Sequence, residues 1–416
     1  MIVPGSALGL NGAVPPSDRI TIGHIGVGGM GTGHVRAFVQ NADVQTVAIC
    51  DVRREHREAA KSIVDTAYGN KDCALYNDFR ELLARPDIDA MVMACPDYWH
   101  ALIGLEAARN RKDMYYEKPM SMSIAENQAM RDAVNRYGVV FQFGTQQRSD
   151  AGYRFACELV RNGRLGKMRD IMIGTATAPF SPDLPEEPIP AGFDYEMWLG
   201  PSPWAPFNTR RCTRDWTHIH DYSLGCLSGA WGIHDVDIAQ WALDADHSGP
   251  VEVEATGVFP GKGLFDTAKE FDAVLTYANG VKLSIMDMPT AVKKRPQFRL
   301  QWMCMVFEGS DGWVLVGRNG LQAEPKSLLR EVIGPNEVRL PRSANHRRNF
   351  LDAVKTRTRP ISHIDAAVRS DAVCHLSDIS MRLGRKLRWS PEKEQFVSDE
   401  AANRQLSRTL RSPWRI

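Results

Sequence analysis

A glycine-rich turn after a short apolar strand is the feature that most constrains what this chain can fold into. Residues 20–33, ITIGHIGVGGMGTG, contain Gly26, Gly28 and Gly31 in a G-x-G-x-x-G arrangement, and we predict a helix beginning near His34. The first glycine permits the tight turn, the second lets the backbone approach a pyrophosphate, and the third lets the helix pack close to the strand. The helix dipole and first-turn N–H groups then face the phosphates. We therefore predict a dinucleotide site formed by Gly26, Gly28, Gly29, Met30 and Gly31.

An acidic residue follows the next predicted strand. The segment 44–50, VQTVAIC, has the composition of a buried strand, and Asp51 comes directly after it. A carboxylate there can accept hydrogen bonds from the adenine ribose, and its charge repels the 2′-phosphate of NADP. Arg53 and Arg54 come next, and their guanidinium groups could accept that phosphate or stack on adenine. The pattern favours NAD over NADP, with Asp51 and Arg53 in the cofactor site.

The alternation of strands and helices up to residue 145 indicates the fold class of the first half. After the first strand we predict strands at 44–50, 89–95, 113–116 and 139–143. Helices are predicted at 53–66, at 76–83, in a segment ending at Arg109, and after Ser123, with Glu126 as its capping-box partner. Elements that alternate at this spacing imply a parallel, doubly wound sheet, the α/β architecture of a Rossmann domain.

The second half is rich in strands with a period of two residues. Strands are predicted at 168–176, 251–259, 271–277, 281–286, 301–308 and 312–316, and helices at 153–162 and over 345–383. Asn279-Gly280 between two of the strands is a strong hairpin signal. These segments indicate an α+β domain with a mostly antiparallel sheet.

The predicted boundaries divide the chain into four parts. Residues 1–19 form a leader or a signal remnant, 20–145 the Rossmann domain, 146–390 the α+β domain for substrate binding and oligomerisation, and 391–416 a C-terminal arm. The leader lacks a charged start and a full apolar segment, so the sequence leaves a periplasmic and a cytoplasmic location open. An insertion at 179–220, rich in Pro, Trp and Arg, is long enough to be functional or to meet a neighbouring subunit.

Composition and charge argue against several classes of protein. The net charge is +1, so no global field favours nucleic acid or an anionic membrane as a partner. No apolar run reaches the length of a membrane span. The eight cysteines are scattered without a C-x-x-C pair, which argues against a zinc knuckle or a disulfide framework. His218 and His220 alternate as on a strand but lack a placed third ligand, so we predict no metal site.

Several motifs give the chain a resemblance to a known family. They are the glycine turn, Glu117-Lys118-Pro119 after a strand, His234 at the start of a helix, GTQQRS at 144–149 and WGIHDVDIAQWAL at 231–243. The chain resembles the glucose–fructose oxidoreductase, inositol dehydrogenase and MocA family, and its terminal RSPWRI is similar to an often exported, sugar-degrading branch. The resemblance implies an open-faced sheet in the second domain, commonly used for oligomerisation, and chemistry on sugars or cyclic polyols.

Lys118 is the first candidate for a catalytic residue. It follows a predicted parallel strand at the predicted cofactor cleft, where burial can lower the pKa of its ammonium group so that it exchanges protons near neutral pH. The resemblance places the matching lysine beside the nicotinamide and the substrate hydroxyl. Glu117 could orient Lys118 or contact the nicotinamide ribose, and the peptide bond before Pro119 could be cis.

His234 is the second catalytic candidate. Oxidation of a carbinol carbon requires a base for the hydroxyl proton, and histidine has a suitable unperturbed pKa. Asp237 lies three residues later, on the same face of a helix, and could orient the ring. The resemblance matches His234 to the family's catalytic histidine, but the family often has an aspartate four residues earlier, where this chain has Ala230. That acid could be replaced by Asp215, Asp221 or Asp235.

Further residues complete the predicted site. Pro96 and His100 match a cofactor-side loop of the family, and Trp99 could form a wall against the nicotinamide or the sugar. Gln147 and Arg148 follow the crossing between the domains and could reach substrate hydroxyls, although a salt bridge would equally explain Arg148. The predicted substrate-binding residues are therefore Trp99, Gln147, Arg148 and His234. An acidic sugar could bind Arg210, Arg211 and Arg214, or these could form only an exposed basic loop.

Three functions follow from these residues. The first is an NAD(P)-dependent oxidoreductase that acts on a hydroxyl or keto carbon of a sugar, sugar derivative or polyol. The second is a redox-neutral enzyme that cleaves glycosides by transient oxidation, elimination and re-reduction with bound NAD. The third is a cofactor-dependent binding or scaffold protein, for which Ala230 is the only argument. An open antiparallel sheet would also expose a large apolar face, so we predict a homo-oligomer, either a dimer or a tetramer.

Overall fold

The computed structural model describes residues 14–298, 300 and 303–416. Most of the predicted leader at 1–19 lies outside these residues, as do the first two residues of the strand predicted at 301–308. The described residues form two sheets, one of six strands and one of nine. Over the same ranges, no helix combines the length and apolar character needed to cross a bilayer.

The first sheet is parallel and doubly wound, as predicted. Its strands are β1 (Ile20–Ile25), β2 (Val44–Cys50), β3 (Ala74–Tyr76), β4 (Ala90–Met93), β5 (Asp113–Tyr116) and β6 (Phe141–Phe143). They lie in the order β3-β2-β1-β4-β5-β6, so the direction of winding reverses between β1 and β4. In such a sheet, ligands bind in the crevice outside the carboxyl ends of the strands at this reversal.

Five helices connect these strands and cover the sheet. They are α1 (Gly29–Phe38), α2 (Arg54–Tyr68), α3 (Phe79–Leu83), α4 (His100–Arg109) and α5 (Ile124–Tyr137). The prediction that the first helix begins near His34 is wrong, because Gly28 caps it and its first turn contains the last glycine of the motif. The helix predicted at 76–83 is shorter than expected. Tyr76 ends β3, and the helix starts only after Asp78, whose carboxylate accepts from the Arg80 N–H.

The second sheet is mixed and mostly antiparallel. Its strands are β7 (Met168–Thr175), β8 (Glu252–Val258), β9 (Glu270–Thr276), β10 (Lys282–Asp287), β11 (Cys304–Gly309), β12 (Trp313–Gly317), β13 (Gly320–Glu324), β14 (Leu387–Ser390) and β15 (Gln395–Phe396). Their order is β13-β12-β11-β7-β10-β9-β8-β14-β15, and β7 pairs with β10 in parallel. The predicted hairpin at Asn279-Gly280 joins β9 and β10, with Gly280 at a φ of 83°. The pattern analysis missed β13, β14 and β15, which are short or lie at the edges of the sheet.

Helices of the second half pack on both faces of this sheet. They are α6 (Ala151–Arg161), α7 (Tyr195–Leu199), α8 (Ile233–Ala242), α9 (Met288–Lys294), α10 (His346–Thr356), α11 (Ile364–Leu383) and α12 (Glu400–Asn403). On one face α8 and α11 pack against the strands, and on the other α9 covers Met172 and Met286. The predicted large exposed apolar face is therefore wrong for the described residues: α9 buries the centre, and Glu254 and Thr256 of β8 are exposed.

Three segments of the second half pack on the first half. Phe350 of α10 joins the core formed by β1, β2, β4 and β5. In the insertion, the Trp198 carbonyl accepts from the Tyr98 hydroxyl at 2.7 Å. In the C-terminal arm, the centre of the Trp414 ring lies 4.6 Å from the centre of the Trp99 ring. These contacts cross the predicted divisions at residues 145 and 390, and the predicted domain boundaries themselves stay predictions.

Candidate active site

A cavity of about 1040 Å³ lies between the carboxyl edge of the parallel sheet and the second half of the chain. This volume is at the upper end of the range of ligand sites, roughly 300–1,000 Å³. The insertion closes one side with Trp198 and residues 212–218, and residues 229–231 before α8 form another part of the wall. The predicted site residues that line the cavity are Gly26, Gly28, Gly29, Met30, Asp51, Arg53, Pro96, Trp99, Glu117 and Lys118. The others, Gly31, His100, Gln147, Arg148, His234 and Asp237, are buried.

The glycine turn has the shape that a pyrophosphate needs. Gly26 has a φ of 78°, and a Cβ at Gly31 would stand 1.9 Å from the Gly26 carbonyl oxygen, so both positions require glycine. A Cβ at Gly28 would meet no atom closer than 3.9 Å, and one at Gly29 would meet none within 4 Å. The backbone at Gly28 and Gly29 therefore faces the open cavity at the start of α1, where the helix dipole favours an anion. The residues present fit a dinucleotide phosphate.

The Asp51 carboxylate is fixed at the carboxyl end of β2. The Val27 N–H donates to its Oδ2 and the Arg53 N–H to its Oδ1, each at 2.8 Å. A carboxylate can accept more than these two bonds, so it keeps acceptor capacity for ribose hydroxyls on the cavity side. The Arg53 guanidinium lies 4.0 Å from the centre of the Phe193 ring and donates to the Cys212 carbonyl. Arg53 is therefore held against the insertion, and the Asp51 carboxylate favours an unphosphorylated ribose.

Lys118 lies on the cavity wall at the carboxyl end of β5, and its peptide bond to Pro119 is cis. Its Nζ donates to the Gly229 carbonyl at 2.6 Å, which joins the parallel sheet to the segment before α8. Burial lowers the pKa of Lys118 below its usual range, although the charges of Glu117 and Asp97 oppose that shift. A larger fraction of Lys118 is therefore neutral near pH 7 than of an exposed lysine.

Glu117 is held by partners other than the Lys118 ammonium group. Its Oε1 accepts from His34 Nε2 at 2.9 Å and from Gln146 Nε2 at 2.8 Å. Arg347 Nε donates to His34 Nδ1 at 3.0 Å, so the proton of the neutral ring is on Nε2. Burial alone would raise the pKa of Glu117, but the His34 hydrogen bond and the charge of Lys118 hold it at about 2. Glu117 is an anion at neutral pH.

His234 lies in the first turn of α8 and does not line the cavity. Its ring centre is 5.0 Å from the ring centre of Trp231, which does line the cavity. His234 Nδ1 is buried and has no hydrogen-bond partner among the described residues. Burial, with the charge of Lys118, lowers the pKa of His234 to about 3, so the ring is neutral at pH 7 and a weak base.

The structure does not bring Asp237 to His234, which contradicts the predicted orienting role. The Asp237 carboxylate accepts from Arg148 Nε at 2.7 Å and Nη2 at 2.9 Å, and from the Ser370 hydroxyl at 2.9 Å. Arg148 also donates to Asp246 at 2.7 Å and 2.9 Å. Arg148 is 1% exposed and Asp237 is fully buried. Arg148 thus forms the buried salt bridge that the sequence left as an alternative, and does not reach the cavity.

His100 and Gln147 are also buried behind the cavity wall. The two ring nitrogens of His100 lie 2.6 Å from the Pro119 carbonyl and 2.9 Å from the Cys95 carbonyl. His100 thereby ties together the loops after β4 and β5 and does not line the cavity, and its contact with the cofactor stays a prediction. Both amide atoms of Gln147 are buried without a partner among the described residues.

Trp99 lines the cavity as predicted, although it is only 5% exposed. Its indole Nε1 donates to the Met197 carbonyl at 3.1 Å, so the ring is anchored to the insertion. Pro96 lies beside it on the same loop and also lines the cavity. Both residues therefore stay candidates for contact with a ligand.

The acids considered as substitutes for Ala230 lie in different places. Asp215 lines the cavity but pairs with Arg210 at 3.2 Å, and Asp235 is fully buried beneath Trp231. Asp221 does not line the cavity. No group of three or more metal-ligating side chains occurs within the described ranges.

Sequence reasoning missed several residues of the cavity. Asp97 lines it in the loop after β4, and the signal was available, because an acid after a buried parallel strand points to the ligand edge. Trp216 and Trp231 also line it, and no spacing pattern connects them to the glycine turn. His34 and Gln146 contact Glu117, a pairing that depends on the packing of α1 against β5.

Two family models match the chain. Residues 20–145 match the NAD-binding Rossmann fold of the oxidoreductase family named for glucose–fructose oxidoreductase, inositol dehydrogenase and MocA. Residues 180–416 match the C-terminal alpha/beta domain of the same oxidoreductase family.

Bacterial proteins show similarity over parts of the chain. The uncharacterized oxidoreductase YrbE of Bacillus subtilis strain 168 is 27% identical over 282 residues, which cover 66% of this chain and 69% of that protein. Inositol 2-dehydrogenase of Agrobacterium fabrum is 27% identical over 311 residues, covering 74% and 75%. A glycosyl hydrolase family 109 protein of Shewanella pealeana is 31% identical over 135 residues, covering 32% and 29%.

Solved structures share the fold over most of the chain. The WlbA dehydrogenase of Bordetella pertussis, in complex with NADH and UDP-GlcNAcA, has a TM-score of 0.64 at 18% identity, covering 89% of this chain and 99% of that one. The aldose-aldose oxidoreductase of Caulobacter crescentus, complexed with glycerol, has a TM-score of 0.64 at 17% identity with the same coverage. Because one model matches the glycine-turn domain and the other more than half of the chain, this protein belongs to the glucose–fructose oxidoreductase, inositol dehydrogenase and MocA family of NAD-binding oxidoreductases.

Proposed function

We propose that the protein interconverts a hydroxyl and a keto group on a sugar, a sugar derivative or a polyol, with NAD as its cofactor. The observation that carries this proposal is the place of Lys118, a lysine with a lowered pKa on the wall of the cavity that also contains the glycine turn. The names of two similar proteins, an inositol dehydrogenase and an aldose-aldose oxidoreductase, support a carbohydrate or polyol substrate.

Lys118 is the residue that we assign to proton exchange. Its Nζ is held by the Gly229 carbonyl on the cavity side of β5, so a substrate hydroxyl in the cavity can reach it. In its neutral form the amine can accept the hydroxyl proton as the carbon is oxidised, and as an ammonium group it can return the proton in the reverse direction. Bound NAD would supply the acceptor for the hydrogen and two electrons that leave the substrate carbon.

His234 and Glu117 have supporting parts in this proposal. The neutral His234 ring offers one unpartnered nitrogen for a hydrogen bond, but with a pKa of about 3 it is too weak a base to replace Lys118. The Glu117 anion favours the charged form of Lys118 and so keeps its pKa from falling further. Asp51 is proposed to hold the adenine ribose and to select NAD over NADP.

The test begins with the cofactor. Freshly purified protein is denatured and the released nicotinamide species is identified, after which sugars, sugar acids and polyols are screened for NADH formation by absorbance. Lys118→Met should lower kcat by about 100-fold or more, because general acid–base catalysis typically contributes 10²–10⁴. The matched control is Lys112→Met, since Lys112 Nζ also donates to backbone carbonyls but lies at the other end of β5. Full activity of Lys118→Met would overturn the assignment.

A redox-neutral glycoside-cleaving activity is a second candidate, supported by the similarity to glycosyl hydrolase family 109 proteins. It predicts near-stoichiometric bound NAD(H) and release of an aglycone without added cofactor or net NADH. Net formation of NADH with a free sugar and no release from a glycoside panel would exclude it in favour of the first proposal. Failure to bind either dinucleotide would contradict both enzymatic proposals.

We also propose that the protein forms a homo-oligomer, through a surface at the end of β8 on the sheet face that also carries Glu254 and Thr256. Phe180 is 63% exposed and Val258 is 56% exposed, and both line one shallow groove. Exposed apolar side chains grouped in this way are typical of association sites. Val258→Glu should shift the mass measured by analytical ultracentrifugation towards the monomer. An unchanged mass would exclude this surface.

A further inference from the structure

Asp97 is a buried carboxyl group on the cavity wall to which the mechanism above gives no role. It is the first residue of a short helical turn, Asp97–Trp99, in the loop after β4, and it is 2% exposed. Its Oδ2 has no hydrogen-bond partner among the described residues. An ionisable group in such a place is costly unless it is protonated or paired with a charge.

Gly229 connects Asp97 to Lys118. A Cβ built on Gly229 would stand 2.1 Å from Asp97 Oδ2 and 2.1 Å from the Ser223 hydroxyl oxygen. The carbonyl of the same residue accepts the 2.6 Å hydrogen bond from Lys118 Nζ. The carboxyl group and the ammonium group therefore both approach Gly229, and its lack of a side chain leaves room for Asp97.

Burial shifts the pKa of each group towards that of the other. Burial raises the pKa of Asp97 to about 7, with Asp371 acting in the same direction and Lys118 and Ser223 opposing it. Burial lowers the pKa of Lys118, with Arg214 and Arg318 acting in the same direction. The other charged group that faces Lys118 is Glu117, and the His234 ring beside it is neutral.

We propose that Asp97 and Lys118 form a coupled acid–base pair, in which Asp97 sets the protonation state of the lysine. The pair shares one proton, which is carried either by the ammonium group or by the carboxyl group. When the proton is on Asp97, the lysine nitrogen has a free electron pair that can accept a substrate hydroxyl proton. Asp97 acts through Lys118 and is a positioning residue. The idea rests on the proton-exchange role proposed for Lys118.

The direct test measures the titration of Lys118 without any substrate. The protein is treated with an amine-reactive label over a range of pH, and modification of the peptide that contains Lys118 is quantified by mass spectrometry. Asp97→Asn removes the carboxylate that favours the ammonium form, so the midpoint for Lys118 should move to lower pH by about one unit or more. The pH–rate profile for substrate oxidation should move in the same direction.

Asp113→Asn is the matched control, because Asp113 is a buried carboxyl group whose pKa is also raised but which lies at the far end of β5, beside Arg357. In Asp113→Asn, the pH midpoint for labelling of Lys118 should equal that of the wild type. The same midpoint in the wild type and in Asp97→Asn would overturn the proposal. If Asp97→Asn does not fold, the Asp97 carboxyl is followed by ¹³C NMR in the wild type and in Lys118→Met. Its titration should move to higher pH in the variant, and no movement would overturn the proposal.

These measurements distinguish failure of the Asp97–Lys118 proposal from failure of the proposed function. A shifted labelling midpoint without turnover of any carbohydrate would support the pair and count against the proposed substrate class. NAD-linked turnover that depends on Lys118, with no shift of the midpoint, would overturn the pair alone.

Discussion

Substitution of Asp237 by asparagine is expected to destabilise the protein while leaving its cofactor site intact. The sequence suggested that this acid orients His234, whereas the structure pairs it with Arg148 through two hydrogen bonds of 2.7 Å and 2.9 Å. Both side chains are buried, so neither charge can be solvated when the other is removed. Breaking a buried pair from one side typically costs 3–5 kcal/mol. Because Asp246 still pairs with Arg148, we expect Asp237→Asn to lower the free energy of unfolding by about 3 kcal/mol.

The assay is urea unfolding followed by tryptophan fluorescence, with NAD binding measured on the folded variant. Asp244→Asn is the control, since its carboxylate pairs with Arg161 but is 76% exposed and should contribute less than about 1 kcal/mol. The double variant Arg148→Met with Asp237→Leu should recover part of the loss, because an apolar pair removes both buried charges but leaves Asp246 without its Arg148 partner.

The contrary result is equally specific. Wild-type stability of Asp237→Asn, together with a large fall in kcat, would show that Asp237 acts in the chemistry through His234. Additive losses in the double variant would show that the Arg148–Asp237 pair has no coupling energy.

Three further substitutions test other parts of the structure. Gly31→Ala places a Cβ 1.9 Å from the Gly26 carbonyl, so α1 must move and NAD should bind roughly 10-fold or more weakly. In the control Gly33→Ala, the added Cβ meets nothing within 4 Å. Equal weakening of NAD binding in both variants would refute the clash with Gly26 as the cause. Burial raises the pKa of Asp235 to about 7, so the wild type loses stability as pH rises from about 4 to about 7. Over that window the free energy of unfolding of Asp235→Asn should rise by up to about 4 kcal/mol relative to the wild type. A stability difference between the two proteins that does not depend on pH would contradict the raised pKa. Trp414→Ala removes the ring that packs on Trp99 and should lower the free energy of unfolding by about 3 kcal/mol in the same assay. An unchanged urea midpoint would show that the C-terminal arm is not docked on Trp99.

The local features of the first half could be predicted because they depend on neighbours in the chain. The glycines of the turn, the strand 44–50 and the acid that follows it all report backbone geometry over a few residues. The parallel sheet then follows, since alternating strands and helices of these lengths have few other ways to pack. The position of Lys118 at the cavity follows in the same way, because it comes directly after a central strand.

The partner of each polar side chain could not be predicted, because it depends on segments far apart in sequence. Asp237 and Arg148 are 89 residues apart, and helical spacing alone pointed Asp237 to His234. The outer face of the second sheet was expected to be open, but α9 folds back over it. Asp97 drew no attention in the sequence, and only the approach of Gly229 places it beside Lys118.

The sequence by itself therefore determined the fold class, the cofactor turn and the lysine at the ligand edge, since each is encoded by local geometry and strand order. Only the tertiary structure decided which acids are structural, which predicted histidines lie behind the cavity wall and which carboxyl faces Lys118. The physical reason is that a buried charge takes its role from the groups that surround it, and packing of distant segments brings those groups together.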